Sequence, residues 1–249
     1  MPIRVPSPNF NSRLLSAVDL IVLHFTETDT TSRALDILTD GDHDHPVSAH
    51  YLIDRDGLLY QLVDEDKRAW HAGLSYWAGE TENNSRSIGI ELVNDGRQDY
   101  PNAQMRMLIG LCRDLKSRHP IPPWGVVGHS DIASSRKIDP GTHFDWARLA
   151  GAGIGIWPRV APADRAPGTL VELQTLLLKI GYCAPVTGRL DVMTRYAIRA
   201  FQLHYRRRLV TSAPDAGTLA KARALWRFKS QLAATMPAPQ PPSPDAPMP

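Results

Sequence analysis

The sequence predicts an α/β fold: a central mixed β-sheet flanked by helices, then a small three-helix module and a disordered proline-rich tail. Short apolar runs of strand length alternate with helical patterns up to Pro158, and beyond it only helical patterns occur. Seven of the 21 prolines lie in the last 13 residues, where no apolar periodicity remains. The predicted units are therefore residues 1–160, 165–233 and 236–249.

The predicted sheet begins with Asp19–Phe25, a run of β-branched and apolar residues that is typical of a buried strand. Residues 49–54 and 58–63 flank Asp56-Gly57, and this dipeptide between two apolar runs predicts a β-hairpin. Two further runs of strand character complete the predicted sheet: Ser87–Val93 and Trp124–Gly128.

Helices are predicted where apolar residues recur every three or four positions. Gln104–His119 shows this spacing most clearly. A second helix is predicted over Thr30–Asp40, which begins with residues rich in Thr and Ser. Another short helix is expected near Phe144–Ala150. The last three helices are separated by Pro- and Gly-containing turns and form the C-terminal module: Leu170–Ile180, Val192–Tyr205 and Thr218–Leu232.

The composition is that of a globular protein, with 43% hydrophobic and 22% charged residues in 249. Two cysteines are too few for a disulfide scaffold, and their spacing matches no thiolate zinc motif. No apolar run approaches the roughly 20 residues that a membrane span needs. The first residues contain no apolar signal segment, so a cytoplasmic monomer is expected; a periplasmic or outer-membrane-associated protein is the alternative if a signal was removed.

Charge divides the chain into two parts. Residues 1–160 contain 16 basic and 21 acidic residues, whereas residues 161–249 contain 12 basic and 5 acidic residues. Such asymmetry indicates modules with different tasks. The run Arg206-Arg207-Arg208 raises nucleic acid as an alternative partner, but no known nucleic-acid module surrounds it, so a solvated helix end and no nucleic-acid partner are expected.

Two of the nine histidines stand out by position. His24 lies inside an apolar strand, where an imidazole is costly to bury without a partner, and His129 lies at the exit of another strand. Asp139 follows ten residues after His129. Two imidazoles and one carboxylate, with a fourth position for water, form a common catalytic zinc set. The spacing alone is weak evidence and favours hydrogen-bonded histidines that bind no metal.

Five ordered motifs between about residues 18 and 158 carry a resemblance to a known family: VLHFTET, VSAHYLIDRDG, KRAWHAG, SIGIELVN and GHSDIASSRKIDPG. In sequence and spacing they resemble the zinc-dependent N-acetylmuramoyl-L-alanine amidases of the AmpD/AmiD type, which are related to animal peptidoglycan-recognition proteins. A later stretch, GRLDVMTRYAIRAFQ, resembles the helical peptidoglycan-binding module. The resemblance implies hydrolysis of the amide between N-acetylmuramic acid and L-alanine in peptidoglycan or muropeptides.

The resemblance assigns Zn²⁺ to His24, His129 and Asp139, and catalytic roles to Glu91 and Lys137. Zinc lowers the pKa of water to about 7. A carboxylate such as Glu91 can take a proton from that water, and an ammonium such as Lys137 can stabilise the oxyanion. From the residues alone, the preferred interpretations are a solvated strand residue for Glu91 and an ordinary loop lysine for Lys137.

Four more residues lie in or beside the matched motifs and are expected near the substrate: His50, His71, Trp70 and Asn84. Structural roles are the alternative for each. The family often has Asn-Asp where this chain has Asn84-Ser85. A muropeptide-binding protein without activity is the alternative function, although all three ligands are present. The C-terminal module is expected to bind wall polymer without cutting it, and a chain ending at Trp157 to keep cleaving soluble muropeptides.

Overall fold

The computed structural model describes residues 1–14 and 17–235. The tail predicted to be disordered, residues 236–249, lies outside the described residues. The described strands are β1 (Ile3–Arg4), β2 (Phe10–Ser12), β3 (Leu20–Phe25), β4 (Tyr51–Ile53), β5 (Leu59–Gln61), β6 (Lys67–Ala69), β7 (Ser87–Leu92) and β8 (Val126–Gly128). The described α-helices are α1 (Thr31–Thr39), α2 (Asn102–Arg118), α3 (His129–Ile132), α4 (Trp146–Gly151), α5 (Leu170–Ile180), α6 (Val192–Tyr205) and α7 (Ala216–Thr235).

The main sheet has six strands in the order β1-β5-β4-β7-β3-β8. Strands β4, β7, β3 and β8 run parallel, whereas β4 and β5 form the antiparallel hairpin predicted from Asp56-Gly57. Gly57 has φ +84°, and a Cβ there would lie 2.9 Å from the carbonyl oxygen of Ala103, so this turn requires glycine. The predicted mixed sheet with flanking helices is confirmed.

Several short elements were not predicted from the sequence. Strands β1, β2 and β6 contain only two or three residues each and show no apolar alternation. The one-turn helix α3 is also absent from the prediction, since its HSDI sequence is short and mostly polar. Its carboxylate at Asp131 accepts a hydrogen bond from the Gly128 amide at 2.7 Å and thereby closes the turn. The long helices and strands all occur close to their predicted positions.

The sheet is covered on both faces. Side chains of a strand alternate between faces, and β3 shows this directly. Ile21 and Leu23 pack in one apolar cluster with α2, including Leu108. Leu20 and Val22 pack in a second cluster on the opposite face, and His24 follows them on that side.

The second cluster contains side chains of the C-terminal module. Leu177 of α5 and Phe201 of α6 belong to the same buried cluster as Leu20 and Val22 of the sheet. The connection between the two units is also packed: the Trp157 ring stacks on Tyr205 at 6.1 Å between centroids. The module therefore forms a layer over the sheet. This shared core argues against the expectation that a chain ending at Trp157 keeps its function.

No helix among residues 1–14 and 17–235 is both long and apolar enough to cross a membrane.

Candidate active site and metal centre

Three buried side chains meet where two parallel strands end. His24 lies near the end of β3, and His129 directly follows the neighbouring strand β8. Asp139 reaches them from the loop after α3. His24 Nδ1 lies 3.0 Å from His129 Nδ1, and each of these nitrogens lies 3.1 Å from Asp139 Oδ2. The structure thus brings together the three residues that the sequence singled out as ligands.

A chain of hydrogen bonds behind His24 determines which of its nitrogens carries the proton. The hydroxyl of Ser87 donates to the carbonyl of Asn83, so its oxygen accepts from Nε2–H of His71, 3.2 Å away. His71 Nδ1 is then an acceptor, and His24 Nε2–H donates to it at 3.1 Å. Nδ1 of His24 therefore faces Asp139 without a proton.

Nε2 of His129 faces both an acceptor and a donor. It lies 3.2 Å from the carbonyl oxygen of Ala72 and 3.2 Å from Nη2 of Arg136, which donates to the same carbonyl. When Nε2 donates to Ala72, Nδ1 of His129 directs its lone pair at His24 and Asp139.

Three lone pairs within 3.1 Å of one another repel unless a cation lies between them. Burial lowers the pKa of His24 to about 4, so the ring stays neutral, the form that binds a metal. His71 and the carbonyl of Ala72 contact the far nitrogens of the two imidazoles and orient the rings, as partners of metal ligands do in established metal sites. His24, His129 and Asp139 can therefore hold a metal ion.

The ligand cluster lies at the bottom of a cavity of about 420 Å³. Glu91 and Lys137 also line this cavity, together with an apolar wall that includes Val47, Trp70 and Ile138. Val47 and Ile138 are exposed. A polar reactive end and an apolar wall in one cleft are typical of small-molecule and peptide sites.

Glu91 is the cavity's unsatisfied carboxylate. It lies on β7 directly opposite His24 of β3, and its Oε2 is buried without a hydrogen-bond partner among the described residues. Burial raises the pKa of Glu91 well above its ordinary value, and the negative charge of Asp139 raises it further. The side chain is therefore suited to take up a proton, which is what a general base must do.

The four expected substrate contacts separate into two pairs. Trp70 and His71 line the cavity. Asn84 lies behind it, where its Oδ1 accepts from the backbone amides of His71 at 3.0 Å and Ala72 at 2.7 Å. His50 is fully buried; its Nδ1 accepts from the Gly89 amide at 3.0 Å. Asn84 and His50 therefore support the segments that carry the site.

Ser87, Gly89 and Arg136 contribute to the site and were missed in the sequence. A Cβ at Gly89 would lie 2.4 Å from Cγ of His71, so only glycine lets that ring approach β7. A glycine inside the apolar run SIGIEL was a usable signal of such close approach. Arg136 lies in a polar loop, and Ser87 is a small polar residue at the start of that strand, so neither gave such a signal.

Two family models match the chain. The model described as N-acetylmuramoyl-L-alanine amidase matches residues 14–142, and the model described as putative peptidoglycan binding domain matches residues 168–221.

Curated relatives and solved structures agree with these matches. The N-acetylmuramoyl-L-alanine amidase AmiD of Escherichia coli K12 is 40% identical over 234 residues, which cover 84% of this chain and 82% of AmiD. The 1,6-anhydro-N-acetylmuramyl-L-alanine amidase AmpD of the same organism is 40% identical over 162 residues, covering 59% of this chain and 88% of AmpD. A solved complex of E. coli AmiD with the substrate anhydro-N-acetylmuramic acid-L-Ala-D-γ-Glu-L-Lys has a TM-score of 0.76 at 39% identity, covering 86% of this chain and 90% of AmiD. AmpDh3 from Pseudomonas aeruginosa has a TM-score of 0.77 at 34% identity, covering 86% of this chain and 92% of AmpDh3.

Proposed function

The chain belongs to the N-acetylmuramoyl-L-alanine amidases, and we propose that it cleaves this amide with a Zn²⁺ ion held by His24, His129 and Asp139. The observation that carries the proposal is the set of two imidazole nitrogens and one carboxylate oxygen within 3.1 Å of one another. Two neutral imidazoles and a carboxylate are the donor set of many catalytic zinc sites. Glu91 and Lys137 line the same cavity and supply the groups that amide hydrolysis needs.

In such a site zinc supplies Lewis acidity and lowers the pKa of a water molecule to about 7. Glu91 takes the proton of the attacking water and returns it to the nitrogen of the leaving L-alanine. Lys137 directs its ammonium at the carbonyl oxygen, where negative charge develops as the water adds. His71 and Ser87 hold His24 in the required tautomer throughout.

The proposed substrate is a muramyl peptide or anhydromuramyl peptide. A solved complex of E. coli AmiD, a relative at 39% identity over most of the chain, contains such a substrate. Trp70 offers a flat apolar surface beside the ligand cluster and suits a sugar ring or a stem peptide. The basic C-terminal module is proposed to bind the anionic polymer through residues 165–233.

The test is digestion of intact sacculi and of soluble anhydromuropeptides by the full chain, each with and without a chelator. Mass spectrometry should detect stem peptides with a free L-alanine amino group, and only in the samples without chelator. Cleavage of intact sacculi indicates an enzyme that acts outside the cytoplasmic membrane. Cleavage of soluble fragments alone indicates recycling in the cytoplasm.

The matched control compares two histidines of the same region. His129→Ala should lose the zinc and the activity, whereas His143→Ala should keep both, because the His143 side chain is partly exposed and bonds only Asp99 among the described residues. Equal zinc content in both variants would remove His129 from the site. Tight muropeptide binding without release of any peptide would instead establish the alternative function, recognition without cleavage.

A further inference from the structure

A fully buried carboxylate outside the catalytic cavity joins the two halves of the molecule. The Asp131 side chain is 0% exposed, and it lies two residues after the ligand His129. Burying a carboxylate is costly unless hydrogen bonds replace its water. The partners of Asp131 therefore show what this part of the fold depends on.

Two of the three donors to Asp131 come from the C-terminal module. The Tyr182 hydroxyl donates to Oδ1 at 2.6 Å, and His204 Nδ1 donates to Oδ2 at 2.7 Å. The third donor is the amide of Gly128, which directly precedes His129. Asp131 thus connects the backbone at a metal ligand to α6 and to the loop after α5.

Both donors are held rigidly in place. The His204 ring stacks between Trp146, at 3.6 Å, and Tyr205, at 4.0 Å between ring centroids. The Tyr182 ring packs edge-on against Trp77 at 5.1 Å. Burial raises the pKa of the Tyr182 hydroxyl well above its ordinary value, so it keeps the proton that it donates. Their positions are therefore set by packing and not by solvent.

A second contact holds the same loop further along. Arg199 of α6 donates from Nη2 to the carbonyl of Ser134 at 2.9 Å, three residues before Lys137. The loop is also closed on itself, since the Ser130 amide donates to the carbonyl of Asp139 at 2.9 Å. The segment that supplies two ligands and the catalytic lysine is thus fastened to the module at both ends of α3.

From these contacts we infer that Tyr182 and His204 are positioning residues of the amidase: through Asp131 they hold the turn that presents His129 to the metal. The C-terminal module is then part of the catalytic apparatus in addition to any role in binding wall polymer. The inference rests on the proposed zinc site, because it concerns the geometry of one of its ligands. Partners of metal ligands typically contribute 10–100-fold to metal affinity.

The experiment measures Zn²⁺ affinity of the full chain by competition with a chromophoric chelator, and the visible spectrum of the Co²⁺-substituted protein. Tyr182→Phe removes one oxygen and keeps the ring, so it should weaken Zn²⁺ binding about 10-fold and alter the Co²⁺ bands. His204→Leu should weaken binding about 10–100-fold. His204→Asn, which keeps a donor close to the position of Nδ1, should restore most of the loss.

Tyr196→Phe is the matched control, because the Tyr196 hydroxyl of α6 makes no hydrogen bond to the described residues and its ring lies outside the buried core. It should leave the affinity and the Co²⁺ spectrum unchanged. If Tyr182→Phe and His204→Leu bind Zn²⁺ like the wild type and differ only in melting temperature, the inference is overturned. Should His204→Leu not fold, the nearly isosteric Tyr182→Phe still decides. A wild-type chain that binds no Zn²⁺ would instead overturn the proposed function.

Discussion

Asp131 of α3 and Asp139 of the following loop are two buried carboxylates, and their surroundings are opposite. Asp131 accepts hydrogen bonds from Gly128, Tyr182 and His204, so its charge is satisfied by the protein. Asp139 directs Oδ2 at Nδ1 of His24, which carries no proton, and at Nδ1 of His129. The first carboxylate stabilises the fold, whereas the second can hold a cation together with the two imidazoles. Burial alone therefore does not distinguish a structural carboxylate from a ligand; the protonation of its partners does.

The largest expected effect comes from neutralising the ligand. In Asp139→Asn the side-chain amide can donate to the facing imidazole nitrogens, so the metal-free protein should become more stable by about 1 kcal/mol. Zinc affinity should fall more than about 100-fold, beyond the loss typical of an indirect partner, and activity should fall to background. Metal analysis and thermal unfolding of the metal-free variant check both parts. Retained zinc would show that Asp139 is not a ligand.

Glu91 is a third carboxylate to compare with Asp131 and Asp139. Its Oε2 is buried, but it accepts no hydrogen bond from the described residues. Glu91→Gln should lower kcat about 10²–10⁴-fold with zinc content and KM little changed. Lys137→Ala should lower kcat about 10²–10³-fold, as loss of an oxyanion partner does. Steady-state kinetics with metal analysis decide. Near-normal kcat in zinc-loaded Glu91→Gln contradicts its role, and zinc loss in Lys137→Ala would mean that the lysine organises the Asp139 loop.

Asp131→Asn should lower the stability of the metal-free protein, whereas Asp139→Asn should raise it. One amide oxygen cannot accept from all three donors, and breaking a buried charged network costs about 3–5 kcal/mol. At about 2–4 °C per kcal/mol, the melting temperature should fall by roughly 10 °C. Asp114→Asn, at an exposed carboxylate of α2, is the control and should change little. Equal shifts in Asp131→Asn and Asp139→Asn would remove the distinction between the two sites.

The smallest expected effect tests the position of His71, which accepts a hydrogen bond from His24. Gly89→Ala places a methyl group 2.4 Å from Cγ of His71, and displacing that ring should cost about 1–3 kcal/mol of stability. It should also weaken zinc binding, because His71 accepts from His24. Gly110→Ala is the control: no atom lies within 4 Å of a Cβ there, and alanine in α2 should stabilise by up to about 1 kcal/mol. Similar melting temperatures for the two variants would contradict the crowding at Gly89.

The strands, the long helices and the ligand set were predictable because each leaves a local signal. His24 interrupts an apolar run, and His129 follows a strand that is parallel to the first, so their side chains meet at one edge of the sheet. The supporting roles of Ser87 and Asp131 gave no signal, since a polar residue at the start of a strand or in a one-turn helix does not reveal its distant partner. The amphipathic patterns of α5 and α6 indicated that one face is buried, but not that the sheet is what buries it.

The packed connection at Trp157 affects how a bound polymer is oriented relative to the catalytic cavity. A tethered wall-binding unit lets its catalytic unit sample many bonds within the radius of the tether. Here Lys221 of α7 donates to the carbonyl of Pro158 at 2.8 Å, and Trp157 stacks on Tyr205, so no free tether separates the units. A glycan strand held by the module would present its muramyl residues to the cavity at one distance and one angle. Removal of stem peptides along that strand would then follow the repeat of the glycan and its helical twist, so muramyl residues with and without a stem peptide would be regularly spaced on an intact strand.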